Sequence, residues 1–275
     1  SVIDIDEPAI LTASTSATSF AEDSLTGINI GTASATDPEG QTVTFSLSGT
    51  GSENFSVDSS GNISLVNALD YETETSYTLA LNASDGVNTT TSELIITVDD
   101  VNEAPSLSNS LAASSFAENV STGTTIATAS ASDPESQAIT YSLSGTGSGN
   151  FAVDSSGNIT LASGLDYETA TSYSLTLSAS DGVNTTNNSL TITIDDVNEA
   201  PSLSNSLAAS SFAENIATGT TIASASASDP EAQTITYSLS GTGSDKFAVD
   251  SAGNITLSSA LDYETTTSYS LTLTA

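Results

Sequence analysis

Apolar and polar residues alternate along most of this chain, a pattern typical of half-buried β-strands. In the middle of the chain, Ile139, Tyr141 and Leu143 are separated by Thr and Ser, and residues 173–179 alternate in the same way up to an Asp-Gly pair at 181–182. Clusters of Ser, Gly, Asn and Asp mark turns between such runs. Because apolar residues nowhere follow helical spacing, we predict an all-β protein.

The alternating segments recur at a fixed interval. Phe20, Phe116 and Phe212 are 96 residues apart (116 − 20 and 212 − 116), and residues 99–119 are identical to residues 195–215. Each copy contains about seven short strands with frequent turn signals, which is typical of a Greek-key β-sandwich. We therefore predict three tandem seven-stranded, immunoglobulin-like sandwiches joined end to end, each with its own core rather than the shared core of a solenoid.

These repeats set the expected domain boundaries. The third copy stops at Ala275, before the counterpart of the last strand, so we expect its final strand to be missing. The predicted organisation is a linker at residues 1–8, a first repeat at 9–103, a second at 104–199 and a third at 200–275.

The charge balance limits the possible partners. The chain has 34 acidic residues and one basic residue, Lys246, which gives a formal net charge of −33. Nucleic acid is excluded as a partner because phosphate binding needs clustered Lys and Arg. Attraction to an anionic membrane surface is disfavoured for the same reason, and no apolar run approaches the roughly 20 residues that a membrane span needs. We expect no direct membrane insertion.

The absence of Cys and His limits the possible metal sites. Without thiolate or imidazole ligands, the usual sites for zinc, copper and haem cannot form, and oxygen-only sites for Ca²⁺ or Mg²⁺ remain. The acidic excess has two interpretations: a device for solubility or salt adaptation, or a set of cation sites. The position of the acidic residues within the repeat favours the cation sites.

The segment Asp99-Asp100-Val101-Asn102-Glu103-Ala104-Pro105 places oxygen ligands between a strand end and a proline, and it returns unchanged at residues 195–201. Ca²⁺ takes six to eight oxygen ligands, so one short linker needs partners from the flanking domains. Eight carboxylates at one junction would repel strongly, and two or three divalent ions would offset most of that charge. The residues expected to converge at the first junction are Glu22, Asp70, Glu72, Asp100, Asn102, Glu103, Asp133, Glu135 and Asp181.

Several of these residues belong to motifs that resemble those of cadherin repeats. The family's Glu-Asn motif after an aromatic residue is matched by Phe116-Ala117-Glu118-Asn119, and its Leu-Asp-Arg-Glu motif by Leu69-Asp70-Tyr71-Glu72, with Tyr in place of Arg. Its acidic linker is similar to residues 100–105, which are one residue shorter, and its two further acidic motifs are similar to residues 133–135 and 179–181. The chain therefore resembles a bacterial array of cadherin repeats.

The resemblance implies Ca²⁺ at the junctions, with about two to three ions at each. It implies that two ions are shared by Glu22, Asp70, Glu72, Asp100, Glu103 and Glu135, and that a third is held by Asn102, Asp133, Glu135 and Asp181. Glu in place of Asp and the shorter linker leave the number of ions open. The corresponding residues of the second junction are Glu118, Asp166, Glu168, Asp196, Asn198, Glu199, Asp229 and Glu231. An N-terminal set would comprise Asp4, Asp6, Glu7, Asp37, Glu39 and Asp85.

Enzyme activity is not expected. Nucleophile and base pairs that use His or Cys cannot be built, and paired carboxylates of a glycosidase type would have to be replicated in every copy of a chain without Trp. We expect a calcium-rigidified extender segment of a secreted or cell-surface bacterial adhesin or surface fibre. The alternatives are a self-assembling extracellular filament, or a module for carbohydrate binding or homotypic adhesion. The expected partners are calcium, neighbouring repeats of the same chain, and for the alternatives other copies of the chain or surface polysaccharide.

Overall fold

The computed structural model describes residues 5–15, 17, 19–209 and 211–275. Half of the predicted N-terminal linker, including the candidate ligand Asp4, lies outside the described residues. Within the described residues the regular structure consists of β-strands and three single-turn 3-10 helices, at Ser52–Asn54, Ser148–Asn150 and Ser244–Lys246. The prediction of an all-β protein is confirmed.

The first repeat forms two four-stranded sheets. In chain order its strands are β1 (Ile10–Thr15), β2 (Ser19–Ala21), β3 (Asn29–Thr36), β4 (Thr44–Ser48), β5 (Phe55–Val57), β6 (Asn62–Leu65), β7 (Ser76–Ser84) and β8 (Thr89–Asp99). The sheet orders are β1-β3-β6-β5 and β2-β8-β7-β4. β1 pairs antiparallel with β3, whereas β2 pairs parallel with β8, so the two are halves of one edge strand that changes sheets. Counted in this way, the repeat is the predicted seven-stranded sandwich.

The second repeat has the same arrangement. Its strands are β9 (Ser106–Leu111), β10 (Phe116–Ala117), β11 (Thr125–Ser132), β12 (Thr140–Ser144), β13 (Phe151–Val153), β14 (Asn158–Leu161), β15 (Ser172–Ser180) and β16 (Thr185–Asp195). The sheet orders are β13-β14-β11-β9 and β10-β16-β15-β12.

The third repeat lacks two of these elements in its described residues. Its strands are β17 (Ser202–Leu207), β18 (Thr221–Ser228), β19 (Ser238–Thr242), β20 (Phe247–Val249), β21 (Asn254–Leu257) and β22 (Ser270–Thr274), in sheets ordered β17-β18-β21-β20 and β19-β22. Phe212 and Ala213 form no strand, although their counterparts lie in β2 and β10. In the first two repeats, β2 pairs with β8 and β10 pairs with β16. The given sequence ends before the residues that would correspond to β8 and β16.

The alternating pattern places one face of each sheet in a core. In the first repeat Ile63, Leu65, Leu79, Leu81 and Ile96 are among the side chains that are almost completely buried. A Phe and a Tyr pack edge to face within each repeat, with ring centroids 5.1 Å apart for Phe55 and Tyr77. The equivalent pairs are Phe151 with Tyr173 at 5.3 Å and Phe247 with Tyr269 at 5.4 Å.

The described chain divides into two compact units. The first comprises the described residues of Ser1–Ser108 together with Ser130–Ser142 and Ser178–Asn188. The second comprises Asn109–Ala129, Leu143–Leu177 and the described residues of Ser189–Ala275. All of the predicted ligands of the first junction lie in the first unit, and all of those of the second junction lie in the second unit. The domain boundaries proposed from the sequence remain predictions.

The turn between β5 and β6 shows why its sequence contains Gly. Asp58 Oδ1 accepts hydrogen bonds from the backbone N–H groups of Ser60 and Asn62, both at 2.8 Å. Gly61 has φ of +82°, and a Cβ at this position would lie 2.0 Å from the carbonyl oxygen of Ala33. Only Gly therefore fits both the left-handed conformation and the contact with β3.

We predict that Gly61→Ala destabilises the first repeat more than the matched variant Gly27→Ala does. Gly27 also has a positive φ of +86°, but nothing lies within 4 Å of its Cβ position, so it measures the conformational cost alone, about 1–2 kcal/mol. The clash at Gly61 adds about 1–3 kcal/mol. Calorimetric melting of both variants in the presence of chelator tests this, and equal shifts would contradict it.

Candidate metal centre

Glu22 is the carboxylate on which the first site is built. It directly follows β2 and is only 5 % exposed. Its Oε1 accepts a hydrogen bond from the backbone N–H of Val101 at 2.8 Å, and its Oε2 accepts one from Tyr71 N–H at 2.7 Å. Its own N–H donates to the carbonyl of Asp99 at 3.1 Å. Glu22 therefore joins the end of β2, the Leu-Asp-Tyr-Glu loop and the acidic linker.

The second repeat reproduces this arrangement. Glu118, which follows β10, is 4 % exposed and accepts hydrogen bonds from Val197 N–H at 2.8 Å and Tyr167 N–H at 2.6 Å. Burying an ionised carboxylate is costly unless charge-assisted hydrogen bonds hold it. At both sites, the two oxygens of the buried Glu accept hydrogen bonds from backbone N–H groups on two different segments. The same geometry therefore recurs in the second repeat.

Around Glu22 the structure brings together two carboxylate clusters. In each cluster the ligand oxygens lie within 4.8 Å of one another, and Glu72 belongs to both. One cluster is Glu22, Glu72 and Glu103, and the other is Glu72, Asp100 and Glu135. The second site also has two clusters, with Glu168 in common: Glu118, Glu168 and Asp196, and Glu168, Glu199 and Glu231.

Several oxygens near these clusters are buried without a hydrogen-bond partner. In the first site they are Glu103 Oε2, Asp133 Oδ2 and Glu135 Oε2, and in the second site they are Glu199 Oε2 and Glu231 Oε2. A buried carboxylate oxygen without a partner loses its hydration and gains nothing in return. A hard cation bound by several oxygens supplies that partner, so the donor set fits Ca²⁺.

The crowding changes the proton affinity of the carboxyl groups. A proton shared with Glu135, followed by desolvation and the nearby charges of Glu22, Glu135 and Glu72, raises the pKa of Glu103 to about 8. The same causes raise the pKa of Glu199 to about 7, with Glu231 as its proton-sharing partner. Desolvation is the main cause that raises the pKa of Glu72 and of Glu168. Close carboxyl groups without a cation thus retain protons.

Some predicted ligands lie outside these clusters. Asp70 Oδ1 accepts a hydrogen bond from Thr73 N–H at 2.8 Å, and Asp166 Oδ1 accepts one from Thr169 N–H at 2.8 Å. Asp133 Oδ1 and Asp229 Oδ1 each accept a backbone N–H at 2.9 Å, from Gln137 and Gln233 respectively. The remaining predicted ligands, Asn102, Asn198 and Asp181, are engaged by amide hydrogen bonds described below. The metal-ligand role of all these residues remains a prediction.

Two groups of residues were not identified from the sequence. Glu214, Asp262 and Glu264 form a third carboxylate cluster in the third repeat, and they lie 96 residues after Glu118, Asp166 and Glu168, so the repeat spacing contained that signal. The other group is Gln41, Gln137 and Gln233, which are all of the Gln residues in the chain and share one position in the three repeats. Of the N-terminal set, Asp37 Oδ2 and Asp85 Oδ2 are also buried without a partner.

Comparison with known proteins assigns this architecture to a family. The sequence profile of the Cadherin domain matches residues 16–99, 113–195 and 209–275. The chain belongs to the cadherin family. Cadherin domains generally bind calcium at the junctions between domains and are typically non-enzymatic. The predicted family and adhesion class are confirmed.

The individual relatives are large animal proteins. The chain is 29 % identical over 298 residues to mouse Protocadherin Fat 4, a match that covers 100 % of this chain and 6 % of that protein. It is 32 % identical over 274 residues to human Protocadherin Fat 1, which covers 92 % of this chain and 6 % of the relative. The chain thus spans about one-sixteenth of the length of these relatives. They give no support to the expected bacterial source.

The structural comparison leads to the same fold. The solved extracellular cadherin domains 1–5 of Protocadherin Gamma B2 match with a TM-score of 0.60 at 26 % identity, over 95 % of this chain and 56 % of that one. Related cadherin ectodomains are extracellular, in agreement with the predicted class of location. In the described part of this cadherin chain, no helix has the length and apolar character needed to cross a membrane.

We predict that the metal-free chain becomes less stable as the pH rises from about 5 to about 8. Glu103 and Glu199 have ordinary pKa values of 4.5 that folding raises to about 8 and about 7, so the folded chain binds more protons than the unfolded chain within this window. The free energy of unfolding therefore falls as pH rises through it. Melting temperatures measured in chelator across this range check the slope.

The double variant Glu103→Gln/Glu199→Gln is the control for this pH dependence. A Gln amide can donate a hydrogen bond to Glu135 or Glu231 at every pH, so the slope should flatten. Saturating Ca²⁺ should flatten it in the unmodified chain, because the ion replaces the shared proton. A melting temperature that rises between pH 5 and pH 8 in chelator would contradict the prediction.

Proposed function

We propose that this chain is a calcium-stiffened spacer segment of an extracellular adhesion protein. The observation that carries the proposal is the pair of carboxylate clusters that share Glu72, together with their unpartnered buried oxygens. The same clusters recur around Glu168. A source such as a bacterial adhesin, as expected from the sequence, forms no part of the proposal because the relatives are animal proteins.

The proposed mechanism is electrostatic. Without a cation, Glu22, Glu72 and Glu103 face each other across a few ångströms, and their mutual repulsion favours separation of the segments that carry them. With Ca²⁺ bound, attraction to a shared ion replaces the repulsion. Because the ligands come from the end of β2, from the Leu-Asp-Tyr-Glu loop, from the linker and from the turn at residues 133–135, shared ions would fix these four segments together.

The alternatives receive less support. The described surface has few large exposed apolar residues, and those present are scattered among loops and strand positions, for example Leu25, Val87, Ile95 and Val183. Stable protein interfaces usually centre on a cluster of aromatic or aliphatic anchors. The described surface therefore offers no such centre for homotypic association, filament assembly or polysaccharide binding, and the tests of the spacer function also test these alternatives.

We predict that Glu72→Gln weakens Ca²⁺ binding at the first junction by more than about tenfold, because this residue serves both clusters. Calorimetric titration with Ca²⁺ measures the effect. Glu93→Gln is the matched control: it removes the same charge from an exposed position of β8 outside every carboxylate cluster. Equal binding by Glu72→Gln and Glu93→Gln would contradict the proposed site.

We also predict that Ca²⁺ elongates the chain and raises its melting temperature while the chain remains monomeric. Ion binding to the folded state contributes about 2.7 kcal/mol at a free concentration one hundred times the dissociation constant. Small-angle scattering from chelator to millimolar Ca²⁺, with sedimentation over a range of protein concentrations, tests both parts. Concentration-dependent association would favour the homotypic or filament alternative, and retention on a sugar array would favour carbohydrate binding.

A further inference from the structure

The three Gln residues make the same contact in each repeat. Gln137 Nε2 donates a hydrogen bond to Asn102 Oδ1, and Gln233 Nε2 donates one to Asn198 Oδ1. In the first repeat, Gln41 Nε2 donates to Asp6 Oδ1, at the linker position that corresponds to Asn102. In all three copies the amide therefore reaches the linker residue that the family resemblance assigns to a third ion.

The orientation of the Asn102 amide follows from its neighbours. Asn102 Nδ2 lies 2.9 Å from Asp181 Oδ2. An ionised carboxylate only accepts hydrogen bonds, so the NH₂ of Asn102 must face Asp181 and its oxygen must face Gln137. Gln137 in turn must present its NH₂ to that oxygen. The chain of donors and acceptors from Gln137 through Asn102 to Asp181 is consistent at every step.

The network also uses the remaining oxygens of Asp181 and Asn102. Asp181 Oδ1 accepts hydrogen bonds from the N–H groups of Val183 and Asn184, both at 2.6 Å. The backbone carbonyl of Asn102 accepts one from Asn184 Nδ2 at 2.8 Å. Both oxygens of Asp181 and both oxygens of Asn102 therefore already have donors.

Asp133 and Glu135, the other acidic residues of this set, each have one oxygen with a donor: Asp133 Oδ1 accepts the N–H of Gln137 at 2.9 Å, and Glu135 Oε1 accepts that of Glu103 at 3.3 Å. The oxygens of the set that stay without a donor are therefore Asp133 Oδ2 and Glu135 Oε2, and Glu135 already belongs to the cluster of Glu72 and Asp100. Ca²⁺ needs six to eight oxygens, and an NH₂ group pointing at Asn102 Oδ1 presents hydrogens where a cation would need oxygen.

We propose that the Gln137 amide takes the place of a third cation. The first junction then binds two ions, and the hydrogen-bond chain from Gln137 through Asn102 to Asp181 occupies the position of the third. The inference rests on the proposed calcium function and specifies its stoichiometry. The N-terminal set shares part of this arrangement: Asp6 Oδ2 accepts a hydrogen bond from Asn88 Nδ2 at 2.6 Å while Gln41 engages Oδ1, whereas Asp85 Oδ2, on the counterpart of Asp181, is buried without a partner. There too, amides occupy both oxygens of the linker residue.

The test is the number of ions bound by the complete 275-residue chain, counted by native mass spectrometry and by equilibrium dialysis at saturating Ca²⁺. Gln137→Glu replaces the donor by an isosteric carboxylate, which repels Asn102 Oδ1 and supplies the missing ligand. We expect this variant to bind one more ion than the unmodified chain. Thr176→Glu, which adds the same charge at an exposed position in the middle of β15, should bind no extra ion.

A second measurement keeps the test informative if Gln137→Glu folds poorly. In crystals of the unmodified chain grown with Ca²⁺, anomalous scattering should show ions at the two clusters around Glu72 and none between Asn102 and Asp181. An ion at that position, or an unchanged ion count in folded Gln137→Glu, would overturn the inference while leaving the spacer function intact. Absence of Ca²⁺ binding by the unmodified chain would instead overturn the spacer function.

Discussion

The structure depends on how like charges are held together at the ends of the sandwiches. With one basic residue in the chain, the carboxylates around Glu72 and Glu168 have no ammonium or guanidinium group available to offset them at both sites. Backbone N–H groups hold Glu22 and Glu118, and shared protons hold the pairs of Glu103 with Glu135 and Glu199 with Glu231. These devices stabilise the site without a cation, but once the paired carboxyl groups are ionised, their buried oxygens have no hydrogen-bond donor. That residual electrostatic cost is what a divalent ion would relieve.

The cores of the sandwiches are built from other residues. They consist of residues such as Ile63, Leu79 and Ile96, none of which belongs to a carboxylate cluster. Turns such as the one at Gly61 are fixed by local hydrogen bonds and close backbone packing. Under the proposed function, the modules would keep their fold while the connection between them responds to cation concentration.

Much of this organisation could be predicted from the sequence because it is repeated three times. Period-two alternation in segments such as residues 139–143 indicates strands, and the spacing of Phe20, Phe116 and Phe212 indicates three modules. The division of the first edge strand into β1 and β2 could not be predicted, because it depends on pairing with β3 on one sheet and β8 on the other. The carboxylates that converge could be predicted as a set, but the grouping around Glu72 depends on side-chain direction. The separation of Asp70, held by Thr73 N–H, depends on a local turn that carries no distinct pattern.

The role of Gln137 shows where reasoning from motifs reaches its limit. A carboxylate in an acidic motif is a typical calcium ligand, whereas a neutral amide at the same end of the sandwich has the same sequence signal as any exposed polar residue. At Asp181, hydrogen bonds from the Asn102 amide and from two backbone N–H groups nevertheless satisfy both carboxylate oxygens without a cation. At Glu72, two carboxylate clusters share one residue, so the negative charge is concentrated within a few ångströms. The physical distinction between the two parts of the junction is therefore the local density of negative charge: where it is high the geometry favours an ion, and where it is low hydrogen bonds are sufficient.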